Sequence, residues 1–386
     1  MITAIAMAVG AGALIIVLST FNGFEDLVKS LYKVFYTDLI VLPAEGKFIE
    51  FDSTLENTLK HNPGIASYTQ VIEENVLAEY HGKQSIFTMK GVDDNYFTVV
   101  NRLKDHMYSG DLKLYFNGVP SAVLGAGVAY MLGVNVMMPN SYLTLYMPRQ
   151  DKQALSDIAN AFRTQQIFTG GIFSVQQDFD NKYIIVPLDF AKNLMGNQNE
   201  ISSIEIKLAQ GENALEIKDK LSKELGAQYV VKTRYEQNET LYKVMKTEKW
   251  AVFAILSFIV LIAAFNIIAS LSMLVIEKKK DIATLRALGA DAPLIQKIFL
   301  IEGLLVSLLG ALSGLVIGLI VCLIQIKFGV IKMPGASFMV SSYPVKIEWS
   351  DFVLVFGIIV AISTLMAWLP AHRSVKQLDQ FIPGNV

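Results

Sequence analysis

The sequence predicts a membrane α-helical protein: four transmembrane helices with one large α/β domain outside the bilayer. The first observation is where the apolar residues sit. Of 386 residues, 53% are hydrophobic, and the mean hydropathy is +0.42. The excess is gathered into four runs, Ile2–Phe21, Trp250–Ile276, Ile298–Ile326 and Phe352–Leu369. Each approaches or exceeds the roughly 18–20 residues that cross a bilayer core as a helix. The second is the polar stretch from Asn22 to Lys249, long enough for one sizeable domain or two small ones.

Taken in order, residues 1–23 form transmembrane helix 1. No basic stretch precedes it and no small-residue cleavage site follows, so it reads as a retained helix rather than a signal peptide, with the natural start upstream. Residues 24–249 form the external domain with its stalk helices. Its first helix is Glu25–Tyr36, with Phe24, Leu27, Val28, Leu31 and Phe35 on one side. A strand at Asp38–Leu42 and a helix at Ser53–His61 follow. Strands at Ala66–Ile72, Asn75–Tyr80 and Ser85–Val92 come next, the last two joined by a His81-Gly82 turn. Towards the end, strand Ile201–Leu208, helix Ala214–Leu225 and strand Tyr229–Thr233 complete the same α/β layer, with Gly226 stopping the helix. Between them, about residues 93–198, lies an inserted, mainly β subdomain with strands at Ala122–Leu124, Tyr142–Tyr146, Ile172–Val175 and Tyr183–Val186. Arg234–Lys249 is a helix leading into helix 2, pairing with Glu25–Tyr36 as a stalk.

Helix 2 covers 250–276, a loop 277–297, helix 3 298–326, a second loop 327–351 and helix 4 352–369, with a tail at 370–386. Lys278, Lys279, Lys280, Arg286 and Lys297 crowd the first loop, and Arg373 and Lys376 follow helix 4. Both regions are therefore cytoplasmic and the large domain lies outside. The net charge of −2 says little about partners, and no basic stripe suits nucleic acid. The single cysteine, Cys322, lies within helix 3, so the chain forms no internal disulfide.

No catalytic constellation is present. There is no phosphate-binding G-x-x-x-x-G-K-[ST] loop, no H-E-x-x-H and no G-x-S-x-G. The four histidines, His61, His81, His106 and His372, lack metal-ligand spacing. The chain is thus no enzyme and binds no cofactor of its own.

The loop after helix 2 is more informative. Ile282, Leu285 and Leu288 share one face of a short helix, Lys280–Leu288, with Gly289 at its stop. Asp291 caps the next helix, with Pro293 in its first turn. Such an element either docks on a cytoplasmic partner or lies on anionic lipid. Helix 3 carries Gly310, Gly314 and Gly318, a repeated G-x-x-x-G that permits close helix approach, within the chain or between copies.

The run E-K-K-K-D-I-A-T-L-R-A-L-G-A, then I-F-L-I-E-G and the glycine-spaced helix, resembles the permease module shared by FtsX, MacB and LolC/LolE proteins. P-A-H-R-S after helix 4 fits the same pattern. Leu18-Ser19-Thr20-Phe21-Asn22-Gly23-Phe24-Glu25, Lys90-Gly91-Val92-Asp93 and Thr169-Gly170-Gly171-Ile172-Phe173 resemble the lipoprotein-releasing LolC/LolE branch in particular. The resemblance implies an inner-membrane ABC transporter permease whose external domain is of the MacB periplasmic core type. Lys280, Ile282, Leu285, Arg286, Leu288 and Gly289 then form the coupling helix for a separate ABC-type ATPase, which holds ATP and Mg. It also implies a second permease copy or paralogue, a lipoprotein cargo, membrane lipid and a periplasmic lipoprotein chaperone. The cargo is expected near Phe21, Asn22, Phe24, Phe258 and Ile262. The chaperone-capturing hook falls within Arg149–Gln166, including Arg149, Asp151, Phe162 and Arg163. A MacB-like efflux permease and an FtsX-like regulator of cell-wall hydrolases are the alternatives.

Overall fold

In the computed structural model, which describes residues 2–138, 140–149, 161–333 and 342–379, the first helix, α1 (Ile2–Phe35), is unbroken over 34 residues. The first apolar run and the amphipathic stretch behind it are one rod. The chain divides into two compact units, one holding Lys29–Tyr242 and the other Met1–Val28 with the three later long helices.

The first of these units opens with β1 (Leu39–Pro43), β2 (Ile49–Glu50), α2 (Ser53–Lys60), β3 (Ile65–Tyr80), β4 (Lys83–Val92) and α3 (Tyr96–Val99). Asp52 starts α2 by accepting a hydrogen bond from the Leu55 amide, as an N-cap carboxylate should. His81 and Gly82 both take positive φ, +48° and +81°, which the two-residue β3–β4 hairpin turn requires. The inserted region supplies β5 (Met107–Gly110), β6 (Tyr115–Phe116), β7 (Val119–Gly125), α4 (Ala126–Leu132), β8 (Tyr142–Pro148), β9 (Phe162–Phe173), α5 (Gln177–Asp180), β10 (Tyr183–Pro187) and α6 (Leu188–Met195). Then come β11 (Glu200–Ile201), β12 (Ser203–Leu208), α7 (Ala214–Leu225), β13 (Tyr229–Thr233) and α8 (Arg234–Gln237).

The strands run β13-β1-β12-β3-β4-β10-β7-β9-β5, and β8 pairs with both β3 and β9. The strands β3-β4-β10-β7-β9-β8 therefore close on themselves as a barrel. Inserted strands and flanking layer share one sheet. The join is β3, expected as two strands but continuous over 16 residues. Its first half pairs with β12 and its second half with β8. The polar Glu73-Glu74-Asn75 interrupts the hydrophobic pattern where the neighbour changes, without interrupting the strand. Leu55 and Leu59 of α2, Val128 and Leu132 of α4, Leu194 of α6 and Leu221 of α7 share one core with Ile72, Met89, Leu124 and Ile184 of the sheet.

The helical unit continues with α9 (Glu239–Glu277), α10 (Lys279–Ala287), α11 (Ala292–Phe328) and α12 (Trp349–Asp379). Among the described residues, the α1, α9, α11 and α12 helices are the ones long and apolar enough to cross a membrane. The helix expected over Arg234–Lys249 is interrupted at Asn238, where α8 ends. Asp291 caps α11 through the Leu294 amide, and Gly329 ends it with φ +57°. Helix α12 continues through Pro370, so the segment after the fourth apolar run is helical as far as Asp379.

The glycine ridge of α11 meets α1 of the same chain. A Cβ on Gly310 would lie 2.4 Å from the Ala4 carbonyl oxygen, and one on Gly314 2.2 Å from that of Ala8. Gly318 faces Gly12 at 3.1 Å in the same way. The small residues of α1 and α11 are thus spent on each other, and their backbones approach as closely as such a seam allows.

Candidate functional site

Among the residues expected to meet cargo, Phe21, Phe24 and Glu25 of α1 line a small pocket with Met245, Glu248 and Lys249 of α9. Phe24 is 37% exposed, while Phe258 and Ile262, deeper along α9, are 61% and 54% exposed. The nine residues from Lys249 to Phe258 correspond to roughly 13 Å of helix. Phe21 and Phe24 therefore meet α9 near Lys249, within both helices, and Phe258 and Ile262 form a separate exposed apolar stretch.

Asn22 is placed differently from its neighbours, being only 3% exposed. Its amide donates to an Asp351 oxygen at 2.5 Å, and its side-chain oxygen accepts from the Lys249 ammonium at 2.6 Å. Lys249 also lies 3.9 Å from the Asp351 carboxylate. Next to it Gly23 is obligatory, since a Cβ there would sit 2.4 Å from the Pro344 carbonyl oxygen. The Lys346 amide donates to the Ser19 carbonyl, and the Lys346 ammonium pairs with Asp26, both at 2.9 Å. Neither Lys249 nor Asp351 was singled out from sequence. The available signal was a charged residue at the end of each of two apolar runs, beside an asparagine at the end of a third.

In the short loop helix, Ile282 is 2% exposed and packs with Ile295, Phe299 and Ala371. Leu285 and Leu288 are 39% and 80% exposed. One edge of the face thus anchors α10 to α11 and α12, and the other edge is free to meet something else. Gly289, at φ +96°, makes the turn out of the helix. Lys280 is exposed and Arg286 lies in the last turn of α10, where a cation complements the helix dipole.

Of the stretch expected to hold the hook, the described residues are the flanking paired strands. Strands β8 and β9 pair as far as Pro148–Phe162, and the Arg149 amide donates to the Ala161 carbonyl one step beyond. Phe162 is half-exposed. The Arg163 guanidinium donates to the Met195 carbonyl at the end of α6, which pins the start of β9 to a helix terminus. Asp151 lies outside the described residues.

Lys90 proves to be a buried charge. Its ammonium lies 2.6 Å from Glu205 and 3.1 Å from Glu73, with the Tyr96 and Tyr183 rings 5.3 and 5.8 Å away. Burial opposes its charge, yet Glu205, Tyr96 and Glu73 hold the ammonium well above lysine's usual value. The triad forms the floor of a cavity of about 740 Å³ that is also bordered by Tyr36, Lys182 and Lys232.

A family model for the MacB-like periplasmic core domain matches residues 1–224, and one for the FtsX-like permease C-terminal region matches residues 253–377. The lipoprotein-releasing system transmembrane protein LolC of Xylella fastidiosa (strain Temecula1) is 24% identical over 385 residues, covering 97% of this chain and 91% of that protein. LolE of Haemophilus influenzae, also named as a lipoprotein-releasing system transmembrane protein, is 25% identical over 390 residues with the same coverage. Among solved structures, the periplasmic region of MacB from Actinobacillus actinomycetemcomitans matches 53% of this chain and 92% of that one. Its identity is 15% and its TM-score 0.37, too loose an overlay to add to the family match.

Proposed function

Since the chain belongs to the MacB-like periplasmic core family and is an ABC transporter permease of the FtsX/MacB superfamily, we propose that it extracts lipoproteins from the outer leaflet of the inner membrane. The observation that carries this reading is similarity to lipoprotein-releasing transmembrane proteins over 97% of the chain. It runs through both the external domain and the permease module. Three features of the chain support it further. Apolar residues where α1 meets α9 suit acyl chains, the paired strands β8 and β9 suit a periplasmic chaperone, and a loop helix suits an ATPase.

The physical need is clear. Each buried CH₂ contributes about 0.8 kcal/mol, so a lipoprotein with several acyl chains does not leave a bilayer on any useful timescale. ATP bound and hydrolysed in a partner subunit supplies the work. α10 receives the push, with Leu285 and Leu288 meeting the ATPase while Ile282 keeps the helix attached to α11 and α12. The long rods α1 and α9 carry the movement out of the bilayer. The external domain then hands the released lipoprotein to its chaperone, in which role Arg149, Phe162 and Arg163 flank the hook. A second permease, identical or paralogous, completes the assembly.

The test is reconstitution of the chain with its ATPase in liposomes loaded with a triacylated lipoprotein. The expected result is ATP-dependent transfer of that lipoprotein to a soluble chaperone. Transfer of a small amphiphilic drug, with no lipoprotein release, would replace this reading with the efflux one.

A further inference from the structure

Around Asn22, α1 is held in two unequal ways. Towards α12 the hold is broad and built into the backbone. Asn22 donates to Asp351 at 2.5 Å, the Lys346 amide donates to the Ser19 carbonyl, and Pro344–Val345 lies directly on Gly23. A contact made at a glycine, with no room for a Cβ, does not loosen unless the backbones part. Towards α9 a flexible side chain, Lys249, takes part in the hold at this level, and further along the two helices Gly10 packs on Val260 and the Thr3 hydroxyl donates to the Asn266 carbonyl. Lys249 reaches Asn22 at 2.6 Å and Asp351 at 3.9 Å, and is itself 27% exposed.

These two holds differ in what their rupture leaves behind. If α1 parted from α12, Asn22 and Asp351, 3% and 8% exposed, would lose each other as partners while buried, which is costly. If Lys249 withdrew, its ammonium would find water, and Asn22 and Asp351 would keep the bond between them, with the Asp351 carboxylate left without its counter-charge. Around this junction Phe21 and Phe24 face Met245 across the small pocket, so parting of α1 from α9 would expose apolar side chains of both helices. An ionisable group at the membrane boundary with a named buried partner is where function is to be sought.

We propose that Lys249 is a releasable latch: a positioning residue that, through Asn22, keeps α9 closed on α1 at this level, and whose release opens the seam at Phe21, Phe24 and Met245 to an acyl chain. The opening is local: α9 parts from α1 at this level, while the packing of Gly10 on Val260 further along keeps the two helices together. The acyl chain as occupant rests on the lipoprotein reading above; the latch itself does not.

The experiment uses the full-length chain in native membranes with Glu25→Cys and Met245→Cys, two residues that line the same pocket, joined by a thiol-cleavable bismaleimide. In the otherwise unaltered chain the pair links efficiently. Lys249→Met lowers the linking rate by about tenfold, the shift expected when a charge-assisted bond is lost, and Lys249→Arg restores most of it. The double variant Lys249→Met with Asp351→Asn removes the stranded buried charge and recovers stability, yet still links slowly. Linked protein releases lipoprotein at least tenfold more slowly while ATP hydrolysis continues, and reductant restores release.

Equal linking rates in the Lys249→Met and unaltered chains would overturn the latch, as would undiminished lipoprotein release from linked protein. Recovery of fast linking in the double variant would also overturn it, reducing Lys249 to a counter-charge. Failure of the chain without the introduced cysteines to release lipoprotein at all counts against the cargo reading alone, because the linking rates decide the latch without any cargo.

Discussion

Lys90-Gly91-Val92-Asp93 shows how much one short motif can be asked to hold. Lys90 is the buried cation between Glu205 and Glu73. Gly91 leaves room for Ala191 of α6, whose Cβ would lie 2.3 Å from a Cβ placed there. Asp93 accepts from the Thr69 hydroxyl and from the Gln70 and Asn95 amides. Removing one partner of a buried pair strands the other, so Lys90→Met is expected to cost about 3–5 kcal/mol. The check is the temperature at which the external domain of the full-length chain becomes protease-sensitive; adding Glu205→Gln should recover much of the loss. Because its pKa is raised, Lys90 contributes fully below lysine's ordinary range, and that contribution is lost only as pH rises through the raised value. The same domain should therefore show no loss of protease resistance from this triad between neutral pH and pH about 9. The motif was visible in the sequence; its partners, more than a hundred residues away at Glu205, were not.

Among the elements, the helices and strands with strong periodicity were legible. Helix α7 and strand β13 lie where their hydrophobic patterns and Gly226 place them. The elements missed were short or changed surroundings partway. Helix α4 carries no polar residue and so lacks the polar face that marks a surface helix, while α6 has one in Asp189, Lys192 and Asn193 but is only 8 residues long; Gly133 and Gly196 were their remaining signals. Strand β9 starts at Phe162, ten residues before the stretch read as a strand, because its first half pairs with β8 alone and carries the polar run Arg163–Gln166. The α1–α11 seam was ambiguous from sequence, since a glycine stripe does not name its partner. Gly314→Leu should place a side chain against the Ala8 carbonyl and cost about 1–3 kcal/mol by overpacking, seen as a lower unfolding temperature in detergent. In α10 two substitutions should part company. Ile282→Ala should destabilise by about 2 kcal/mol or more. Leu288→Asp should leave thermal stability within about 0.5 kcal/mol, and should abolish co-purification of the ATPase.

At the scale of the whole molecule, the four membrane-length helices could be read from where the apolar residues fall. The family resemblance rested on residues at both ends of the chain. What stayed hidden was long-range: the barrel that closes when β8 returns to β3, and the clasp that joins positions 22, 249 and 351. Neither leaves a local pattern, because each is a contact between segments that look ordinary on their own. Both bear on the same account, a machine whose rods meet beside apolar residues and whose external domain carries the paired strands β8 and β9. Its central claim is that the cargo is a membrane-anchored lipoprotein. The most direct measurement is to deplete the chain from its native cell and follow a labelled outer-membrane lipoprotein through separated inner and outer membranes. The account predicts that the lipoprotein accumulates in the inner membrane as the chain disappears. Normal delivery to the outer membrane, with altered toxin sensitivity or cell-wall cleavage in its place, would contradict it.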